Sequence, residues 1–322
     1  MEEFMTIIDA HSHLWLRQDT TWNGQSIRSL KNGRSIFLDE EVQMLPPYII
    51  DSRNTAEVFL SNMDYARVQA AVVVQEFIDG LQNDYLREVA SHYPDRFFVC
   101  AMADCRQPGF LEQAHRFVVD EGFRGMAIPG HRLITDSGRI ALNSDEMMQM
   151  FHLMEDNAVV LSITLADGDA QVGELREVIE ECPRLKIAIG HLGMASPPPQ
   201  SPPSQWPDSN GWRQQILLAR YDQVSVEMGG ITWLYNSEFY PFPSAVGAIR
   251  EVIDLIGSDK LMWGSDYPRT MTAITYRMSY DFILKSQTLD DDAKRLILGE
   301  NARRFYGFGT LPSLPYIKNM SE

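Results

Sequence analysis

Thr6-Ile7-Ile8-Asp9-Ala10-His11-Ser12-His13 decides how the whole chain is read. An apolar run closes on two histidines one residue apart. Side chains on a strand alternate faces, so His11 and His13 point the same way. Counting this first run at 6–9, short β-branched or aliphatic runs recur at 70–75, 97–103, 123–128, 158–164, 186–190, 223–227 and 261–264. Most are nearly continuous in apolar residues rather than alternating, which suits strands covered on both faces, as in a parallel sheet. Helical patterns sit between them, at 56–66, 84–92, 110–121, 146–156, 170–181, 212–219, 244–256 and 272–286, with a last one at 291–305. Ser144-Asp145-Glu146 is a helix-start signature, and Asp290, Asp291 and Asp292 complement the dipole of the last helix. Eight strands alternating with helices predict an α/β fold, a (β/α)8 TIM barrel formed as a single domain over residues 1–322.

Two connections are abnormally long for such a barrel. One, 14–54, follows the first strand; the other, 193–210, follows the sixth and holds six prolines between Pro197 and Pro207. Both leave the C-terminal end of a strand, so both are expected on the catalytic face, as a lid or a pocket wall.

Composition limits the classes of function. With 44% hydrophobic and 22% charged residues, the chain is neither a disordered polymer nor a fibrous repeat. At 322 residues it can bury a core without disulfides or a structural metal. The net charge of −16 argues against nucleic acid and anionic lipid as partners. No apolar run is long enough for a membrane helix. The acidic start Met1-Glu2-Glu3-Phe4 is unlike the basic start of a signal peptide, so a cytoplasmic location is expected. Cys100, Cys105 and Cys182 are odd in number and form no close metal pair, and they read as buried, reduced thiols.

Polar groups end three of the eight strands. His11 and His13 end the first, His191 the sixth in Ile187-Ala188-Ile189-Gly190-His191, and Asp266 the eighth in Met262-Trp263-Gly264-Ser265-Asp266. In a barrel these positions meet at one mouth. Paired imidazoles at a strand end form a platform for a divalent ion, because neutral imidazole is a common ligand of zinc. His131, just after the fourth strand, falls on the same face, whereas His92, His115 and His152 lie on helices and read as surface or packing residues. Arginines Arg132, Arg139 and Arg269 follow the fourth and eighth strands. Arg17, Arg28, Lys31 and Arg34 concentrate in the first long loop. Of these, Arg269 stands nearest the site, three residues past Asp266, and suits a grip on a substrate carboxylate. Trp15, Trp22, Trp206 and Trp233 are candidates to wall a pocket for a ring.

The stretches IDAHSHLW at 8–15, GFRGMAI at 122–128, IAIGHLG at 187–193, WGSDYP at 263–268 and GENARRFYGF at 299–308 resemble the amidohydrolase-2 branch of the amidohydrolase superfamily, in the family's order and over nearly the whole chain. That branch holds lactonases and non-oxidative decarboxylases of the aminocarboxymuconate-semialdehyde type. The resemblance implies that His11 and His13 are the strand-one metal histidines, and that His191 and Asp266 match the functional groups of strands six and eight. One departure is visible. Metal-dependent members carry a histidine at the end of strand five, where this chain has Ser162 and Thr164. A single divalent ion, zinc being expected, would then rest on His11, His13 and Asp266, with Glu227 and Glu76 as further candidate ligands. A metal-free site is the alternative, since some lactonases of the branch work without metal.

The resulting expectation is a metal-assisted hydrolase, a lactonase that opens a carboxylated or sugar-acid lactone. Asp266 is the general base and His191 polarises the carbonyl, while Arg269, Trp15 and His131 contact a small anionic substrate. A non-oxidative decarboxylase of a carboxylated ring or muconate-type substrate is the second reading. The third is a barrel that binds a sugar acid without turning it over. A homo-oligomeric state stays open.

Overall fold

The computed structural model describes residues 5–135, 138–166, 169–194, 210–318 and 320. Eight strands pair in parallel into one sheet: β1 (Ile8–Ser12), β6 (Ala70–Val73), β7 (Phe97–Ala101), β8 (Gly125–Ile128), β11 (Val160–Ile163), β12 (Ile187–Ile189), β13 (Val224–Glu227) and β14 (Leu261–Met262). The sheet closes on itself. Ala10 N–H donates to Trp263 O at 2.8 Å, Asp266 N–H to His11 O at 2.9 Å and His13 N–H to Tyr267 O at 2.8 Å. Seven of the eight strands fall within the expected runs; β1 overlaps its run of 6–9 but continues three residues further, to Ser12.

The helices α1 (Ala56–Ala66), α2 (Asn83–His92), α3 (Phe110–His115), α4 (Asp145–Asp156), α5 (Asp169–Glu181), α6 (Asn210–Leu217), α7 (Ile231–Leu234), α8 (Pro243–Ile256), α9 (Met278–Leu284), α10 (Asp291–Arg295) and α11 (Asn301–Tyr306) complete the chain. Their apolar stripes pack on the outside of the barrel; in α1, Ala56, Phe59, Met63 and Ala66 are buried at helical spacing. The expected helix 110–121 continues past α3 as a π-helical turn, Arg116–Asp120. A second such turn, Leu296–Glu300, joins α10 to α11. The helix expected at 272–286 is shorter, starting at Met278; just before it Tyr276 donates to the buried Asp9 carboxylate at 2.8 Å.

The barrel interior below the mouth is filled by Ile8, Ala10, Ala70, Val72, Phe98, Cys100, Ala127, Val160, Ala188 and Met262, and Tyr306 of α11 packs against this cluster. Ile8 and Ala10 therefore face inward. Simple alternation would then turn His11 and His13 outward. It does not, because β1 carries one extra residue. Ile8 pairs with Ala70 and Asp9 with Ala71, yet Ser12 pairs with Val73. This bulge reverses the facing of the strand end, and both histidines enter the cavity.

The first long connection is not an unstructured loop. It folds into an antiparallel sheet of β2 (Asp19–Trp22), β3 (Gln25–Ser29), β4 (Arg34–Phe37) and β5 (Glu40–Gln43), anchored by the buried Trp22 and Ile27. A short hairpin of β9 (Ile134–Thr135) and β10 (Gly138–Arg139) follows β8. The second expected long loop, 193–210, lies outside the described residues except at its ends. Among the described residues no helix is long and apolar enough to cross a membrane.

Candidate active site

A cavity of about 430 Å³ opens at the C-terminal ends of the strands. His11, His13, His191 and Asp266 line it together. His11 Nε2 lies 3.2 Å from His13 Nε2 and 3.8 Å from Asp266 Oδ1, and His13 Nε2 donates to Asp266 Oδ1 at 3.1 Å. One ligand atom from each of His11, His191 and Asp266 lies within 4.8 Å of the others. All four sequence candidates thus line one cavity, with His11, His191 and Asp266 converging in it.

Each group is fixed from behind. His11 Nδ1 lies 2.5 Å from Glu227 Oε1; with Glu227 ionised, as beside a bound cation, Nδ1–H donates there and Nε2 turns a lone pair to the cavity. His191 Nδ1–H donates to Gly229 O at 2.7 Å, which likewise leaves Nε2 bare. His13 Nδ1 lies 3.2 Å from Asp79 Oδ2. Trp233 Nε1–H donates to Asp266 Oδ2 at 2.8 Å. The backbone is strained at two of these positions: His191 has φ +52° and Asp266 φ +56°. Left-handed backbone at a non-glycine residue costs about 1–3 kcal/mol, and it clusters where a side chain must be aimed.

Burial, and then the charge of His13, lowers the His11 pKa to about 3. His13 moves the other way. Burial opposes its charge, but hydrogen bonds to Asp266 and Asp79 push it up to about 9. Burial also opposes the Asp266 charge, yet the His13 bond and the charges of His13, His191 and Arg269 hold its carboxyl well below the ordinary range. Burial pushes Glu227 up to about 8, and burial together with His11 lowers His191. The centre therefore offers the ionised Asp266 carboxylate, the neutral imidazoles of His11 and His191 and, once it gives up its proton, that of His13. That donor set fits a divalent ion: His11, His13, His191 and Asp266 are candidate metal-binding residues.

A family model for amidohydrolases matches residues 8–308. The chain belongs to the amidohydrolase family. An L-fucono-1,5-lactonase from Burkholderia ambifaria is 26% identical over 310 residues, covering 93% of this chain and 94% of that protein. Among solved structures, an amidohydrolase from Burkholderia multivorans with bound zinc aligns at a TM-score of 0.68 and 18% identity, covering 95% of this chain and all of that one. A probable 2-pyrone-4,6-dicarboxylic acid hydrolase from Acinetobacter baumannii, with citric acid bound, gives 0.66 and 18% over 94% of this chain and 100% of that one.

In this amidohydrolase the remaining sequence candidates divide. His131 lines the cavity, and burial lowers its pKa to about 4, so it is neutral. Arg269 lines it too, but its Nη2 is engaged by Asp79 Oδ1 at 2.5 Å. Trp15 does not reach the cavity wall. It is fully buried, its Nε1 donates to Ser52 O at 3.2 Å, and its ring lies beneath the Arg269 guanidinium. Trp233 takes the exposed place beside the site. His191 cannot donate to a developing oxyanion in its neutral form, because its one N–H is spent on Gly229; it offers a lone pair instead. Glu227 lies behind His11 rather than facing the cavity, and Glu76 pairs with Arg132 Nε at 3.3 Å. Sequence reasoning missed Asp79 and the part played by Trp233. Asp79 lies in a short 3-10 turn, Phe77–Asp79, just past β6, and Trp233 on the one-turn helix α7 past β13, where no periodic pattern marks them.

Proposed function

We propose that this chain is a lactonase that opens an uncharged sugar-acid lactone at a single divalent ion, zinc, held by His11, His13, His191 and Asp266. The observation that carries the choice of substrate is the charge balance of the cavity. Its two arginines, Arg132 and Arg269, are already paired with Glu76 and Asp79. No other lysine or arginine lines the cavity among the described residues, and the stretch 195–209 contains none in sequence. With the charge of each arginine already balanced by a carboxylate, a substrate carboxylate would meet no uncompensated side-chain cation among these residues. A closed aldonolactone carries no such group. Ser162, Thr164 and His131 offer hydrogen bonds to its hydroxyls, and Val74, Ala127 and Ile128 an apolar wall for its C–H face.

When bound, the ion supplies Lewis-acid polarisation at the mouth of the barrel. The protein's own groups do the rest. Trp233 holds Oδ2 of Asp266, and Oδ1, which accepts from His13 in the metal-free chain, would be released to take the proton of the attacking water once His13 gives up its proton to hold the ion. Glu227 and the Gly229 carbonyl hold His11 and His191 in the tautomers that face the ion. Asp79 sits between His13 and Arg269 and keeps both in place. Ring opening gives one carboxylic acid per turnover and no gas.

The test is a panel read by proton release and by carbon dioxide. Uncharged five- and six-membered sugar lactones are expected to release one acid equivalent each. Lactones bearing ring carboxylates are expected to turn over at least about tenfold less well, because their charge is desolvated beside Glu76 and Asp79 with no unbalanced arginine to receive it. Carbon dioxide from a carboxylated phenol, with no lactone opened, would overturn the reading in favour of a decarboxylase.

A further inference from the structure

A second cluster of ligand-type side chains lies outside the barrel, where α4 and α5 end side by side. His152 and Glu155 stand one turn apart on α4, and Cys182 follows the last residue of α5. One ligand atom from each of His152, Glu155 and Cys182 lies within 4.8 Å of the others. Cys182 Sγ is 3.6 Å from His152 Nδ1. Two ligands at about 2.3 Å (thiolate) and about 2.0 Å (imidazole) from one tetrahedral ion stand about 3.5 Å apart. The pair is therefore already spaced as it would be around such an ion.

Charge favours a cation at the same point. Glu155, Asp156 and Glu181 stand there against one arginine, Arg184, which reaches Glu155 Oε2 at 3.3 Å and Asp156 Oδ1 at 3.4 Å. Glu181 Oε1 lies 3.9 Å from His152 Nε2, on the side of the ring away from the thiol. The C-terminal ends of two helices add their negative dipole ends. Cys182 is fully buried, whereas the His152 side chain is 45% exposed and opens a path from solvent.

We propose that Cys182, His152 and Glu155 form a second metal site, for a borderline-soft divalent ion of the zinc and cobalt class, that clamps the ends of α4 and α5. On binding, the Sγ–metal bond forms as the Sγ–H bond breaks and the proton leaves to solvent. The site is independent of the catalytic centre, whose candidate ligands are nitrogen and oxygen only.

Cobalt(II) tests it on the full-length, metal-stripped chain, because a thiolate ligand gives a near-ultraviolet sulfur-to-cobalt charge-transfer band that nitrogen and oxygen ligands do not. The band is expected to saturate at one ion per chain and to persist in the His11→Ala/His13→Ala variant. It is expected to vanish in Cys182→Ser and to need about tenfold more cobalt, or more, in His152→Ala. No band in the wild-type chain at millimolar cobalt, or a band that survives Cys182→Ser, overturns the site.

Discussion

Asp266 is held at both oxygens, by His13 on Oδ1 and by Trp233 on Oδ2. A hydrogen bond to a charged group contributes about 1.5–3 kcal/mol, and about 1.4 kcal/mol is a factor of ten in rate. Trp233→Phe keeps the ring but removes the donor. We expect kcat to fall roughly 10–100-fold while KM stays within about twofold and metal content is unchanged; an unaltered kcat would remove the positioning role. Asp266→Asn removes the base itself, and kcat should fall by roughly 10²–10⁴. Metal content must be read in the same sample, because Asp266 is also a proposed ligand. The protonation of His13 makes a further prediction. In the metal-free chain its pKa is raised to about 9, so below that pH His13 carries a proton that an ion must displace. Zinc binding should release at least about one proton per ion at neutral pH, and affinity should rise with pH up to about 9. Calorimetry in buffers of different ionisation enthalpy measures this, and zero proton release would exclude His13 as a ligand.

At the scale of the element, the site depends on strand ends packed too closely for side chains. A Cβ added at Gly229 would lie 2.7 Å from His11 Cγ, and one at Gly264 2.6 Å from His11 Cβ. Gly264→Ala must therefore push His11 away from Glu227 and from the ion. We expect zinc affinity to fall about 10–100-fold with the far-ultraviolet circular dichroism unchanged; wild-type affinity in this variant would show that His11 is not held by that contact. The same packing explains what the amino-acid sequence reveals. The eight barrel strands are legible because most are nearly continuous apolar runs buried on both faces, and the ends of β1, β12 and β14 lead directly to His11, His13, His191 and Asp266. The bulge in β1 is not legible. It inserts one residue without altering composition, although it alone turns His11 and His13 inward. The sheet β2–β5 escapes notice because its strands are mostly exposed and polar, as in Glu40–Gln43, with Ile27 the main buried anchor. Asp79 and Trp233 escape notice because their roles come from contacts with His13 and Asp266 far away in sequence.

The whole molecule carries −16 charges around a cavity whose own charges are paired. Such a surface neither attracts nor repels an uncharged lactone. Its kcat/KM is expected to change by less than about twofold between about 0.01 M and about 1 M salt, whereas an anion would be repelled at low salt and bind better as salt screens the surface. A steep salt dependence with the preferred substrate would therefore contradict the uncharged-lactone reading. Barrel closure by β1 against the strand-eight segment brings the two halves of the centre together, since His11 and His13 come from one end of the chain and Asp266 from the other. The central claim is that these residues act through a bound ion. It is tested most directly by the rate of lactone opening before and after metal is stripped, in the Cys182→Ser variant so that returned zinc has one site to fill. The account predicts a loss of about a hundredfold or more on stripping, and recovery at one equivalent of zinc. Full turnover by the stripped chain would contradict it.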